Sequence, residues 1–123
     1  MLQTTLIFIG GGLGATARHW AGLAVLRQFG PGFPWGTMGV NVLGSLAMGL
    51  LIGWLAKRGG SMDFRLFAAT GFLGGFTTFS AFSLDFANLW RQGDMTAAFG
   101  YAVASVVLSL LAVFAGLFIM RQV

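Results

Sequence analysis

The sequence contains no cysteine, no glutamate and a single histidine among its 123 residues. Without cysteine there is no disulfide, no thiolate nucleophile and no cysteine-based metal site. The only acidic side chains are three aspartates, Asp63, Asp85 and Asp94, which are well separated along the chain. So few carboxylates and imidazoles leave almost nothing from which to build a hydrolase or a metal cage. We therefore do not expect an enzyme.

Charge is also scarce, and apolar residues take its place. Charged residues make up 8% of the chain, hydrophobic residues 57%, and the mean hydropathy is +0.85. These values are too apolar for the surface of a soluble globule of this size and predict an integral membrane protein. The net charge of +4 comes from seven basic residues at the ends of apolar runs, with no basic patch. This scatter indicates membrane topology and not nucleic-acid binding.

Four apolar segments, near 4–26, 35–56, 65–90 and 96–120, are each long enough to cross a bilayer, which takes about 20 residues. The chain is therefore predicted to be a single all-α membrane domain, 1–123, with four spans. All four tryptophans lie near span ends, where indole rings favour the headgroup region. They are Trp20, Trp35, Trp54 and Trp90.

The basic residues are divided almost evenly between the two faces of such a four-span protein. One face holds four of them and the other two, with Arg18 buried toward that second face. Because orientation follows the Lys/Arg asymmetry, two alternatives stay open. The chain inserts both ways up and pairs antiparallel with itself, or a modest bias fixes one orientation. Four helices enclose little space, so a substrate path is expected to need a second copy.

The third segment contains a stretch, residues 74–83, whose composition works against a continuous helix. Gly74 and Gly75 weaken the helix, and three hydroxyl residues follow within six positions. Phe79 and Phe82 lie one helical turn apart beside those hydroxyls. Backbone at hydrocarbon depth stays helical unless its freed groups line a cavity or coordinate something. The stretch therefore predicts a broken third helix used for permeation or coordination, not for acid–base chemistry.

Two polar stripes, each with a spacing of four, run along the second and fourth segments. The first comprises Thr37, Asn41, Ser45, Gly49 and Gly53, and the second Tyr101, Ser105 and Ser109. The Asn41 amide and the hydroxyls of Thr37, Thr78, Ser80, Ser105 and Ser109 predict a donor-lined path without fixed charge, which suits a small, strongly hydrated anion. The alternative is structural, because small residues allow close helix packing and hydroxyls form interhelical hydrogen bonds in lipid.

Three further features each have two interpretations. The electropositive ring edges of Phe79 and Phe82 are able to contact an anion, although most membrane phenylalanines simply pack. Arg18 is the only charged residue well inside the first span and is therefore a candidate functional residue. Its alternatives are snorkelling to the interface near Trp20 or hydrogen bonding to loop carbonyls. Asp85 either pairs with an arginine or marks the water boundary.

Three motifs occur in order along the chain: GGGLGATAR at 10–18, PWGTMGVN at 34–41 and GGFTTFSAFS at 74–83. They are similar to GGxxGAxxR, P-x-G-T-x-x-V-N and GGxTTFSTFS of the Fluc (CrcB) family of bacterial fluoride channels. The chain resembles this family over its whole length. Three motifs with matching order and spacing are far more specific than one glycine-rich stretch.

The resemblance implies a passive, fluoride-selective channel of the bacterial inner membrane that exports fluoride and relieves its toxicity. It also implies an antiparallel, dual-topology homodimer with two pores. Phe79 and Phe82 match the fluoride-contacting phenylalanines and Asn41 the pore asparagine, while the fourth-segment stripe matches the family's polar track. Backbone carbonyls of Gly74 and Thr77 from both subunits would hold a structural Na⁺ ion. Four carbonyls in an unwound turn suit such a hard cation.

Departures from the family pattern fall at three positions. His19 replaces an aromatic residue, Ala81 replaces a threonine and removes one hydroxyl, and Asp85 stands where glutamate is frequent. We expect the missing hydroxyl at Ala81 to affect conductance and not the assignment of the protein as a channel.

Two rival functions are available for a chain of this size. A proton-coupled exporter of the small multidrug type is also four-helical, but it depends on a glutamate in the first span. This chain has no acidic residue before Asp63, so such a mechanism would lack its proton carrier. A non-transporting scaffold is the second rival, and it would not need polar stripes facing a broken helix.

Overall fold

The computed structural model describes all 123 residues, Met1–Val123, and every regular element is helical. The fold class predicted from the sequence, all-α, is confirmed. In chain order the elements are α1 Leu2–Phe29, α2 Trp35–Arg58, α3 Met62–Arg65, a π-helical segment Leu66–Leu73, α4 Gly74–Phe76, α5 Phe79–Arg91 and α6 Met95–Gln122.

The chain turns where the sequence offers turn residues. Helices α1 and α2 end at Gly30 and Gly59, whose φ angles of 77° and 71° are costly for any residue with a Cβ. Helix α6 begins at Asp94, whose carboxylate accepts a hydrogen bond from the backbone N–H of Ala97 at 3.1 Å. The connections are therefore short, and the long helices lie side by side.

Three helical stretches are long and apolar enough to cross a membrane: Trp35–Arg58, Met62–Arg91 and Met95–Gln122. Helix α1 is as long as α6, with 28 residues, but its glycines and Arg18 make it less apolar. Together these helices make a multi-pass membrane protein. Each of the four predicted spans falls within a helical stretch, and a membrane crossing by α1 stays a prediction.

The closest helix pairs are not neighbours in sequence. Helix α2 packs most extensively on α6, and α1 packs on the π-helical segment. Glycines allow both approaches: a Cβ on Gly116 would lie 2.6 Å from the Leu46 carbonyl oxygen, and one on Gly10 would lie 2.5 Å from that of Phe67. Such contacts leave no room for side chains and are typical of tight helix packing in lipid. The small end of the α2 stripe, Gly49 and Gly53, therefore faces α6.

The π-helical segment Leu66–Leu73 was not predicted. Its sequence, LFAATGFL, has the composition of an ordinary apolar helix. A π-helix is wider than an α-helix and is found mostly as short insertions, often at functional sites. Here it packs against the glycine-rich part of α1 and leads directly into the break of the third span.

The break in the third span lies at Thr77 and Thr78, and not at the glycine pair. Gly74 and Gly75 are still helical, in α4. Thr77 (ψ 156°) and Thr78 (φ −151°, ψ 120°) are extended, and helix α5 starts immediately afterwards. The expected discontinuity is therefore present, but it spans only two residues.

Candidate functional site

Side chains from elsewhere in the chain replace the backbone hydrogen bonds that the break removes. Asn41 on α2 contacts Thr78 twice: its Nδ2 donates to the Thr78 carbonyl oxygen at 2.9 Å, and its Oδ1 accepts from the Thr78 N–H at 2.7 Å. The backbone N–H and the backbone carbonyl of Thr78 are thus both hydrogen-bonded, as buried backbone requires. Asn41 keeps one amide N–H that is not used in this pair.

The two residues of the break also satisfy their neighbours. The Thr78 hydroxyl accepts from the Ala81 N–H at 3.1 Å and so caps α5. The Thr77 hydroxyl donates to the Leu73 carbonyl oxygen at 3.1 Å. These local hydrogen bonds add to those from Asn41 in stabilising the extended backbone of Thr77 and Thr78.

Arg18 reaches the break from α1. Its Nε donates to the Gly75 carbonyl oxygen at 3.1 Å, and the side chain is half-buried. The bond differs from the expected one to a loop carbonyl, because Gly75 belongs to helix α4. The guanidinium thereby connects α1 to the last helical turn before Thr77.

A groove of about 360 Å³ opens beside the break, between α2, α5 and α6. We call it the polar groove, and no charged side chain lines it. Its polar lining is Asn41, Ser45, Thr77, Thr78, Ser105 and Ser109, and its larger apolar lining is Met48, Phe79, Phe82, Val106, Leu110 and Val113. The α2–α6 pairing is what brings the two sequence stripes to the same cavity.

Two serines of the polar groove carry buried hydroxyls that have no hydrogen-bond partner. They are Ser105, which is 5% exposed, and Ser109. An unpaired buried hydroxyl costs free energy, so native proteins keep few of them. The hydrogen bonds to another helix that are the structural alternative for these serines do not form. Both hydroxyls remain available to a species in the groove.

The phenylalanine pair forms one wall of the polar groove. The ring centroids of Phe79 and Phe82 lie 5.4 Å apart at an interplanar angle of 47°. Phe82 is half-buried and packs on Tyr101, with centroids 5.3 Å apart. Phe79 is 76% exposed, and Phe82 is its only aromatic neighbour within the chain. Packing therefore accounts for Phe82 in part and does not account for Phe79.

Tyr101 is fully buried behind Phe82 and does not line the polar groove. Its hydroxyl donates to Asp85 Oδ2 at 3.1 Å, which joins α6 to α5. Asp85 thus pairs with a phenol, and the arginine pair that was one of its two interpretations is not observed. Of the fourth-segment stripe, Tyr101 alone forms an interhelical hydrogen bond.

Two other predicted pore residues lie near the groove but outside its lining. Thr37 lies one turn before Asn41, in a crevice of about 250 Å³ that it shares with Arg18 and Thr78. Ser80 is exposed, and its hydroxyl lies 3.3 Å from that of Thr78. Five of the eight predicted pore residues therefore meet in the groove: Asn41, Phe79, Phe82, Ser105 and Ser109.

The sequence also contained groove residues that were not assigned to the path. Ser45 belongs to the α2 stripe and lines the groove one turn after Asn41, so its spacing was a usable signal. Met48 and Val106 also line it, and nothing in their sequence context distinguishes them from lipid-facing residues.

The two predicted sodium ligands lie at the break itself. Gly74 is exposed and Thr77 is half-buried. Neither carbonyl oxygen accepts any of the side-chain hydrogen bonds or the backbone bonds outside regular helices. Carbonyl oxygens of this kind fit a hard cation.

Comparison with known proteins shows the family of the chain. The family model described as "CrcB-like protein, Camphor Resistance (CrcB)" matches residues 5–117. A protein of Mesorhizobium japonicum named "Fluoride-specific ion channel FluC" is 56% identical over 122 residues, which cover 99% of this chain and 98% of that protein. One of the same name from Sphingopyxis alaskensis is 56% identical over 117 residues, covering 94% and 93%.

A third relative, "Fluoride-specific ion channel FluC 2" of Nitrobacter hamburgensis, is 52% identical over 118 residues, or 95% of each chain. Each of these alignments covers nearly the full length of both proteins. With its family match over residues 5–117, this chain belongs to the CrcB family.

Proposed function

We propose that this protein is a fluoride channel that conducts passively along the polar groove. The observation that carries the proposal is the pair of buried, unpartnered hydroxyls of Ser105 and Ser109 in a groove without charged side chains. The names of the relatives, fluoride-specific ion channels, support the same ion. Channel function also makes the protein a transporter and not an enzyme.

The chemistry of the groove suits a small anion. Fluoride holds its water strongly, so a path must replace that water with hydrogen-bond donors. Ser105 and Ser109 hydroxyls and the free amide N–H of Asn41 supply such donors. The ring edges of Phe79 and Phe82 add a weaker electropositive contact. A fixed cation would hold the anion too tightly for it to leave, and none lines the groove.

We further propose that two copies assemble as an antiparallel, dual-topology homodimer with two pores. The polar groove is open on one side, and the 76% exposed Phe79 stands at its wall. A second copy would close the groove and bury that ring. The near-even distribution of basic residues between the two faces supports insertion in both orientations.

A structural Na⁺ ion at the centre of this dimer completes the proposal. Gly74 and Thr77 carbonyls of the two copies would provide four oxygen ligands, and Arg18 would act structurally by holding the neighbouring Gly75 carbonyl. The ion would satisfy backbone oxygens that are costly to leave unpaired within a membrane. A structure at a resolution that distinguishes ions tests this. An empty two-fold axis, or carbonyls paired within the protein, would rule the sodium out.

The cellular role that follows is export of fluoride across the bacterial inner membrane, which relieves fluoride toxicity. Proton-coupled drug export is the less suitable alternative. The family match supports a fluoride channel, and α1 contains no carboxylate to carry a proton.

Fluoride efflux from proteoliposomes tests the function directly. Purified protein is reconstituted with internal potassium fluoride, and external fluoride is followed with an ion-selective electrode after a potassium ionophore relieves the voltage. We expect efflux that follows the fluoride gradient and stops without the ionophore. Protein-free liposomes are the control. Efflux that requires an imposed proton gradient would contradict passive conduction, and no efflux would contradict the channel.

A further inference from the structure

A second groove lies between α2 and α6, far from the break, where the two parallel helices approach their C-terminal ends. Its volume is about 600 Å³, and we call it the terminal groove. Its walls are apolar: Ile52 and Ala56 on α2 face Phe114, Leu117 and Phe118 on α6. Phe114 and Phe118 are 65% and 61% exposed. The groove lies at the C-terminal end of both membrane-spanning stretches.

Two cations close one end of the terminal groove. Lys57 and Arg121 line it, and no carboxylate does. Lys57 Nζ donates to the Arg121 carbonyl oxygen at 3.3 Å and so caps the C-terminal end of α6. The Arg121 guanidinium, with five N–H donors, donates no hydrogen bond within the chain. The positive charge of the Arg121 guanidinium therefore remains available to a ligand in the groove.

We propose that the terminal groove binds one anionic phospholipid, with an acyl chain along the apolar walls and the phosphate at Lys57 and Arg121. Trp54, three residues before Lys57, marks the headgroup level, where Lys and Arg side chains reach toward lipid phosphates. Basic pockets between membrane helices bind such headgroups. A soluble anion would leave the apolar walls unused, and a zwitterionic lipid would leave the cations unbalanced. This inference does not rest on the proposed fluoride function.

Native mass spectrometry of the detergent-purified assembly tests the proposal. Phosphatidylglycerol and phosphatidylcholine with the same acyl chains are titrated separately. We expect the anionic lipid to bind more tightly. The double variant Lys57→Gln/Arg121→Gln should lose roughly 30-fold in affinity for phosphatidylglycerol, from the ~1 kcal/mol that each basic residue contributes. Its affinity for phosphatidylcholine should not change.

A matched control removes the same charge from outside the groove. Arg58→Gln/Arg65→Gln deletes two cations at the same end of the molecule, neither of which lines the terminal groove. This variant should keep most of its affinity for the anionic lipid. Equal losses in both double variants would mean that general surface charge attracts the lipid, which overturns the proposal.

A third variant tests the apolar walls alone. Ala56→Phe fills the groove from the exposed side of α2 and leaves both cations in place. We expect phosphatidylglycerol affinity to fall at least 10-fold. Unchanged affinity would show that the acyl chain does not use the groove. If the native protein binds both lipids equally, the cations do not select an anionic headgroup, and the proposal is again overturned.

Discussion

Replacing Ser105 by alanine should make the protein more stable and less conductive at the same time. The Ser105 hydroxyl is buried and unpaired in a residue only 5% exposed. Leaving such a group without a partner costs about 1–3 kcal/mol, and alanine is also the better helix former by ~0.5 kcal/mol. Allowing for the small void that the oxygen leaves, we expect the free energy of unfolding to rise by about 1–2 kcal/mol.

The flux should change in the opposite direction. A hydrogen bond to a charged species contributes about 1.5–3 kcal/mol, so its loss corresponds to a decrease in fluoride flux on the order of 10-fold to 100-fold. Thermal unfolding in detergent measures the first effect, where 1 kcal/mol corresponds to about 4 °C in a chain of this size. Electrode-detected efflux from liposomes measures the second.

Ser83→Ala is the matched stability control. Its hydroxyl is exposed and donates to the Phe79 carbonyl oxygen at 3.0 Å, so its removal relieves no buried unpaired group and should not stabilise the protein. If Ser105→Ala lowers stability, the hydroxyl has a structural partner and the interhelical interpretation is right. If stability rises but flux is unchanged, the hydroxyl is not part of the fluoride path.

Three further predictions concern the path and the assembly. Asn41→Asp removes the donor to the Thr78 carbonyl and adds a negative charge beside the path. At 4 Å and an effective dielectric constant of 20 this repels an anion by about 4 kcal/mol, so efflux should fall roughly 1,000-fold, and near-native efflux would place Asn41 outside the path. Phe79→Ile and Phe82→Ile keep the bulk but lose the electropositive ring edge; each should lower fluoride flux while the assembly purifies intact, and normal conduction in both would make the rings packing residues. Met62→Cys introduces a thiol at a 58% exposed position of a cysteine-free chain. Impermeant maleimide should label it from both sides of the membrane, and labelling from one side alone would contradict dual topology.

Composition alone predicted the fold class, because lipid permits few alternatives to apolar helices. The break was predicted too, but its place was not. It lies at Thr77 and Thr78 because Asn41, 37 residues away from Thr78, supplies both hydrogen bonds that an extended residue needs there. Helix propensity depends on the local sequence and does not take such a distant partner into account. The π-helical segment was missed for a similar reason, since its packing against α1 involves residues distant in sequence.

The candidate site was predictable to the extent that it follows helical spacing. The four-residue period placed Asn41 and Ser45 on one face, and Ser105 and Ser109 on another. That these faces share a groove depends on the α2–α6 pairing, which spacing does not determine. Thr37 lies four residues before Asn41, about 6 Å along the axis. It lines the neighbouring crevice with Arg18.

The interleaved pairing of helices constrains the order in which the protein can be completed during synthesis. Helix α2 leaves the ribosome early, yet its main partner, α6, is the last helix to emerge. Until then the Asn41 stripe has no α6 to pack on, and the Ser105 and Ser109 hydroxyls do not yet exist beside it. A chain that stops before α6 consequently lacks one wall of the polar groove and both of its unpartnered serine hydroxyls.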